Sequence, residues 1–400
     1  MNHRDQMLAV IAGRPVDRIP WVPRMDLWLV ANRARGTLPP ELAGPDVDEV
    51  TVADWLGTAC HALGADRTLV REPRDFALAG LGFDDHPHFP FRLELHDLPL
   101  RQTGTFEALA TTIGTSHGDV TIRYHWSEAM RRDGISGPMV VEHAVKTVAD
   151  LAAVAEIFEH LEVVPTPGRY AAYRDRVGAR GLAVTQGPIA ASPAHLLLHD
   201  LMPMLDFFYL WVDERPAIDA FTRRLEPFFD AVTEAAILSG AEVIYSGANY
   251  DQGTTWPPFF EGEIVPALRR RGARLHEAGR YLLCHTDGEN RQLIQFYPDA
   301  GFDIAQSVCP APMTDLTLRQ VREGLGASQT LWGGIPAVAL LSDSMPDADF
   351  ERWLDGLEDE VGAGDHLILG VSDNVPPDAD LGRLRRIGDR IAGLSPASAG

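Results

Sequence analysis

The chain has 400 residues, 45% of them hydrophobic and 23% charged, which is ordinary globular usage and enough to bury a full core without disulfide or metal staples. Its 57 acidic against 35 basic residues give a formal net charge of -22, which opposes nonspecific binding to nucleic acid or to an anionic membrane. The three cysteines, Cys60, Cys284 and Cys309, are too few and too unevenly spaced for a disulfide framework, so reduced thiols in a cytoplasmic protein are expected.

The opening Met1-Asn2-His3-Arg4-Asp5 lacks the apolar stretch of a signal peptide, and no uninterrupted apolar run of about 18 residues occurs, so neither secretion nor membrane spanning is expected. Arg18 to Trp28 predicts an early strand, and Arg92 to Trp126 alternates apolar and polar residues around turn signals, the pattern of an antiparallel insertion or cap. A helical run over Thr147 to Glu162 leads to a loop at Pro165-Thr166-Pro167-Gly168. Strands are predicted at Leu182 to Thr185, Ala241 to Ser246, Tyr281 to His285, Phe302 to Val308 and Thr330 to Trp332, with a weaker one at Leu367 to Gly370. The amphipathic runs Glu261 to Ala278, Asp315 to Gly324 and Asp347 to Val361 are each long enough for a crossover helix. The last residues, Ser395 to Gly400, are small and expected to fray.

This alternation predicts an α/β fold, a (β/α)8 TIM barrel with an N-terminal extension and an antiparallel insertion. Such barrels run to roughly 250 residues and reach about 400 with insertions, so residues 1–400 read as one domain, with 1–150 as extension and cap and 151–394 as the main barrel. The predicted strand ends run into polar, glycine or metal-capable residues. Examples are Gly247-Ala248-Asn249-Tyr250-Asp251-Gln252, Thr286-Asp287-Gly288-Glu289-Asn290, Cys309-Pro310 and Val371-Ser372-Asp373-Asn374. Turn formation alone favours Gly, Asn, Asp and Pro, yet it does not require His285 or Cys309, and a closed parallel barrel gathers all these ends on its catalytic face.

Asp251, His285 and Asp287 are therefore the candidates for catalysis, and Asn249, Gln252, Gln186, Trp332, Asp373 and Asn374 for binding substrate. His285, Asp287 and Cys309 offer N, O and S donors that zinc accepts with one position left open. Cys284 should face the helices by strand alternation and reads as core. His195 and His199, four apart without the Glu of a His-Glu-x-x-His motif, read as helix surface or pocket wall, and His86 and His88 as loop.

The run Leu8 to Pro20, ending Gly13-Arg14-Pro15-Val16-Asp17-Arg18-Ile19-Pro20, is followed in order by Gln186-Gly187-Pro188, His285-Thr286-Asp287-Gly288 and Leu331-Trp332-Gly333-Gly334-Ile335-Pro336. In this order the motifs resemble the uroporphyrinogen decarboxylase superfamily, closest to its corrinoid-linked and zinc methyltransferases of the O-demethylase type. The resemblance implies a distorted barrel and methyl transfer from a small methylated donor to a corrinoid held by a separate carrier protein, with zinc assisting and with homodimers common. Two departures qualify it. True uroporphyrinogen decarboxylases carry an Arg-Gln-Ala-Gly-Arg-Tyr motif after the opening strand, where this chain has Arg24-Met25-Asp26-Leu27-Trp28. The zinc enzymes use a His-x-Cys pair and a distant Cys, where this chain has Asp287 and Val371-Ser372-Asp373. The alternative is a decarboxylase or lyase acting on a small acidic substrate without corrinoid, and a third reading is a noncatalytic binding member.

Overall fold

Seven short strands form one parallel sheet, and they lie in it in chain order: β1 (Leu63–Gly64), β2 (Val184–Gln186), β3 (Val243–Ala248), β4 (Tyr281–His285), β5 (Ile304–Val308), β6 (Thr330–Pro336) and β7 (Leu367–Ser372). The computed structural model describes residues 1–362 and 364–394, so the tail at 395–400, expected to fray, lies outside the described residues. Every residue of β3, β5, β6 and β7 is buried, because helices cover one face of the sheet and the strands curl around the other.

Strand alternation sorts the side chains into two layers. Val184, Val243, Tyr245, Leu283, Ile304, Trp332 and Ile368 point inward into one cluster. Ile244, Leu282, Cys284, Ala305, Leu331 and Leu367 point outward into the larger core under the helices, where Cys284 was expected. Burying one such aliphatic side chain contributes about 1.5–3 kcal/mol, so a polar residue in either layer is costly unless bonded. The inner cluster is completed by Met7, Val10 and Ile11 of the N-terminal helix His3–Ile11 and by Val22 and Ala59.

The segment Pro20–Val22 lies between the two edges of the sheet. Val22 N–H donates to the Leu369 carbonyl at 2.8 Å, Leu369 N–H to Pro20 at 2.9 Å, and Ala59 N–H to Trp21 at 3.1 Å. The arrangement is consistent with a TIM-like barrel, but as a hydrogen-bonded sheet it is not closed. The strand expected over Arg18 to Trp28 is here a single bridge at Trp21, because Pro20 and Pro23 bring no N–H to a ladder, and Asp26 opens a helix, Asp26–Arg35.

The antiparallel region is as expected and extends further. Leu100–Thr103, Leu109–Thr115, Gly118–His125 and Met139–Glu142 form a four-stranded sheet. The helix expected over Thr147 to Glu162 is Asp150–Glu159, and Leu161–Pro165 then pairs antiparallel with Phe91–Leu95. The expected loop at Pro165 to Gly168 holds instead the start of helix Pro167–Val177, with proline at the first helical position, where its missing N–H costs nothing. Among the described residues no helix is long and apolar enough to cross a membrane.

Helix Val265–Glu277 approaches the sheet through Gly272, where a Cβ would collide with the Gly301 carbonyl oxygen. Alanine gains about 1 kcal/mol of helix propensity over glycine, but overpacking costs about 1–3 kcal/mol and should win. Gly272→Ala is expected to lower the urea unfolding midpoint; an unchanged or higher midpoint would show that the helix does not depend on this contact.

Candidate active site

Strand register builds the site. His285 pairs with Gln306, and Gln306 with Trp332, so three inward-facing side chains form a row across the ends of β4, β5 and β6. Gln306 Oε1 accepts from His285 Nδ1 at 2.6 Å, and Gln306 Nε2 meets His61 Nε2 at 3.3 Å. His61 stands edge-on to Trp332, with ring centroids 5.2 Å apart. Burial, helped by the Arg24 charge, pushes the His61 imidazole down to about 3, so it is a neutral acceptor at neutral pH. A neutral His61 orients the Gln306 amide, the amide fixes the Nδ1 proton of His285, and Nε2 of His285 is left facing the site.

Two carboxylates stand at that nitrogen. Asp287 Oδ1 is 3.5 Å and Asp373 Oδ1 3.8 Å from His285 Nε2. Burial alone would lower the His285 pKa, but the Asp287 contact and the charges of Asp373 and Asp287 outweigh it and raise the value above 6.5. Asp373 is held by Arg24 Nη1 at 2.7 Å, the Ser307 hydroxyl at 2.9 Å and Asn374 Nδ2 at 2.9 Å. Burial pushes its carboxyl up, while Arg24, His285 and Ser307 pull it well below the usual range. Asp26 takes the other side of the Arg24 guanidinium at 3.1–3.2 Å, and although burial disfavours the Arg24 cation, Asp26 and Asp373 keep it charged. Ser307 adopts a left-handed backbone (φ 67°), sparsely populated for serine, to present its hydroxyl to Asp373.

Several polar atoms in and around the site are buried without a hydrogen bond: Asn374 Oδ1, Gln186 Oε1, Trp332 Nε1, His199 Nε2 and Asp287 Oδ1, the last facing only His285, at 3.5 Å. Such atoms are costly and mark where a ligand's polar groups can bond. His199 keeps Nδ1 on Asp200 at 2.8 Å, and Asp200 outweighs burial to raise its pKa. His195, four residues earlier, is buried and accepts from Ala191 N–H through Nδ1 at 3.1 Å, and burial drives its pKa well below 6.5.

The other candidates fall in two places. Asp251 accepts from Gly253 N–H and Glu289 N–H, both at 2.7 Å, and Gln252 Oε1 accepts from Gln292 N–H at 2.9 Å. These side chains fasten the loop after β3 to the loop after β4. Gly288, at φ 90°, is required there, since a Cβ would stand 2.8 Å from that of Asp251. Asn249 is exposed, with its N–H on the His285 carbonyl at 3.1 Å. Cys309 is buried with Sγ 3.5 Å from the Ser307 carbonyl, and burial pushes its thiol up to about 12 despite a backbone hydrogen bond from Gly288.

The expected zinc set is not assembled. Among the described residues, the group of three His, Cys, Asp or Glu ligand atoms within 4.8 Å of one another is Glu94, His96 and Glu162 on the antiparallel pair, not His285, Asp287 and Cys309. Asp373, the other carboxylate at His285, is already neutralised by Arg24. These residues do not fit a three-ligand zinc site in this arrangement.

Arg24, His61, Gln306 and Ser307 were not singled out from sequence. Gln306 and Ser307 carried a signal, two polar residues inside a strand buried on both faces. Asp26, the acid in the stretch where uroporphyrinogen decarboxylases carry an arginine-rich motif, pairs here with Arg24.

The raised pKa of His285 contributes stability that is present below about pH 6.5 and lost as pH rises through the folded value, whereas the lowered pKa of Asp373 contributes stability lost only as pH falls below the carboxylate range. Asp373→Asn should lower the His285 pKa in an NMR titration and cost about 1.5–3 kcal/mol in denaturant unfolding by removing charged hydrogen bonds. An unmoved titration would separate the two residues.

No family model and no curated protein matches the chain. Among solved structures it is similar to a methyltransferase from Methanosarcina mazei, at 15% identity over 98% of each chain and a TM-score of 0.53, a likeness of fold.

Proposed function

We propose that the protein transfers a methyl group from a small methylated donor to an acceptor, with His285 as the general acid that protonates the departing oxygen or nitrogen. The observation that carries this reading is the His285 imidazole, held by Gln306 at Nδ1 and flanked at Nε2 by the carboxylates of Asp287 and Asp373. The likeness of fold to a protein named methyltransferase supports the reaction class.

The difficulty in removing methyl from an ether or amine is the poor leaving group. As the bond from methyl carbon to heteroatom breaks, its electron pair stays on the heteroatom, which takes the Nε2 proton, while the acceptor's electron pair forms the new bond to carbon. His285 is left neutral between two carboxylates and regains a proton from water. Arg24 holds Asp373 ionised throughout, and the amide oxygens of Asn374 and Gln186, which lack hydrogen-bond partners, supply acceptors that orient a donor carrying hydroxyl or ammonium groups. The acceptor is proposed to be a corrinoid on a carrier protein, which when bound supplies the nucleophile. No step is assigned to zinc.

The test is methyl transfer to a cobalt(I) corrinoid across methoxy-aromatics and methylamines. His285→Gln should lower the rate by about 10²–10⁴-fold, the contribution of a positioned general acid. Wild-type rate should fall as pH rises through the raised His285 pKa. Equal rates in the variant, or no transfer from any donor, would overturn the reading; carbon dioxide release without acceptor would favour the decarboxylase alternative.

A further inference from the structure

On the outer side of β3, away from the site described above, helices Arg215–Leu238 and Val265–Glu277 and the Ala191–Ser192 loop enclose a cleft of about 210 Å³. Arg270, Arg271 and Arg274 face it from one helix, and Glu226 and Asp230 from the other. The carboxylates are already engaged. Arg274 pairs with Asp230 at 3.0 Å and with Glu234 at 2.8 Å, and Arg270 faces Glu226 at 3.7 Å.

Arg271 is different. Among the described residues no carboxylate lies within 4.0 Å of it, and its side chain makes one hydrogen bond, Nη1 to Ser246 Oγ at 2.9 Å. The hydroxyl of Ser246 donates onward to the Pro188 carbonyl at 2.8 Å, so it serves Arg271 as an acceptor. The guanidinium carbon sits 5.8 Å from the Phe229 ring centroid, a contact that directs the cation without neutralising it. Burial also holds its pKa below the ordinary arginine value, as expected of a cation short of counter-charge. A guanidinium with free donors at the wall of a cleft matches an oxyanion bidentately, which an ammonium cannot do.

We propose that this cleft binds a small phosphate oxyanion, inorganic phosphate or a phosphate monoester, on Arg271, with Arg270 and Arg274 at its rim. The site is independent of the methyl-transfer reading, since among the described residues those of the cleft share no hydrogen bond or ion pair with His285 or Asp373.

The test is a calorimetric titration of the full-length protein with inorganic phosphate and, separately, with glycerol phosphate, at constant ionic strength set by chloride. Saturable binding is expected, with a rise in Tm by mass action. Arg271→Lys, which keeps the charge and loses the fork, should weaken binding at least tenfold, and Arg271→Met should remove it. Arg352→Ala, at an exposed arginine elsewhere, should leave it unchanged. Tighter binding of glycerol phosphate would identify a monoester ligand, and equal or weaker binding free phosphate. Should the methionine variant fail to fold, the lysine variant still decides. Absence of saturable binding to the wild type, or equal affinity in the lysine variant, would overturn the proposal.

Discussion

The ionised carboxylate of Asp373 is the interaction on which the site depends. It joins Arg24 from the N-terminal segment, Ser307 from β5 and His285 from β4. Without that anion, the Arg24 guanidinium would lose one of its two carboxylate partners, and burial would pull the His285 pKa lower. The same contact has an architectural side. Arg24 lies two residues after Val22 and Asp373 immediately after β7, so the ion pair joins the same two segments as the hydrogen bonds between Pro20–Val22 and Leu369.

Register explains how a polar site sits on an apolar interior. Leu283 pairs with Ile304, two residues below the pair of His285 with Gln306. Because side chains repeat every second residue along a strand, one step toward the strand ends turns a dry aliphatic layer into a hydrogen-bonded one. Trp332 marks the boundary. Its body belongs to the apolar cluster, while its Nε1 is left without a partner and its edge meets His61. The lower layer stabilises the fold, and the upper layer is free to hold unsatisfied atoms.

Much of this was legible in the sequence. β3 to β7 lie where apolar runs bounded by turn residues placed them, because strands buried on both faces must be continuously apolar. His285, Asp287, Asp373 and Asn374 were picked out because they follow those runs, and the structure brings them within one network. What was not legible depended on tertiary context. β1 is two residues long and too short to leave a periodic pattern. Pro20–Val22 joins the sheet edges by single bridges, and the helix at Asp26 cut short the strand expected there. Asp251 and Gln252 looked like site residues by position, yet their side chains are engaged by backbone N–H groups of the neighbouring loop, a use that spacing does not distinguish from chemistry.

The helix His3–Ile11 carries a consequence for traffic. Its Met7, Val10 and Ile11 pack into the same apolar cluster as the strand interiors and cover the curled sheet at the end where the strands begin. That end of the interior is filled with aliphatic side chains, while the polar residues gather at the opposite ends of the strands. Under the methyl transfer proposed above, donor and acceptor would then share the approach from the strand ends, and the donor would have to be seated before the acceptor covers it.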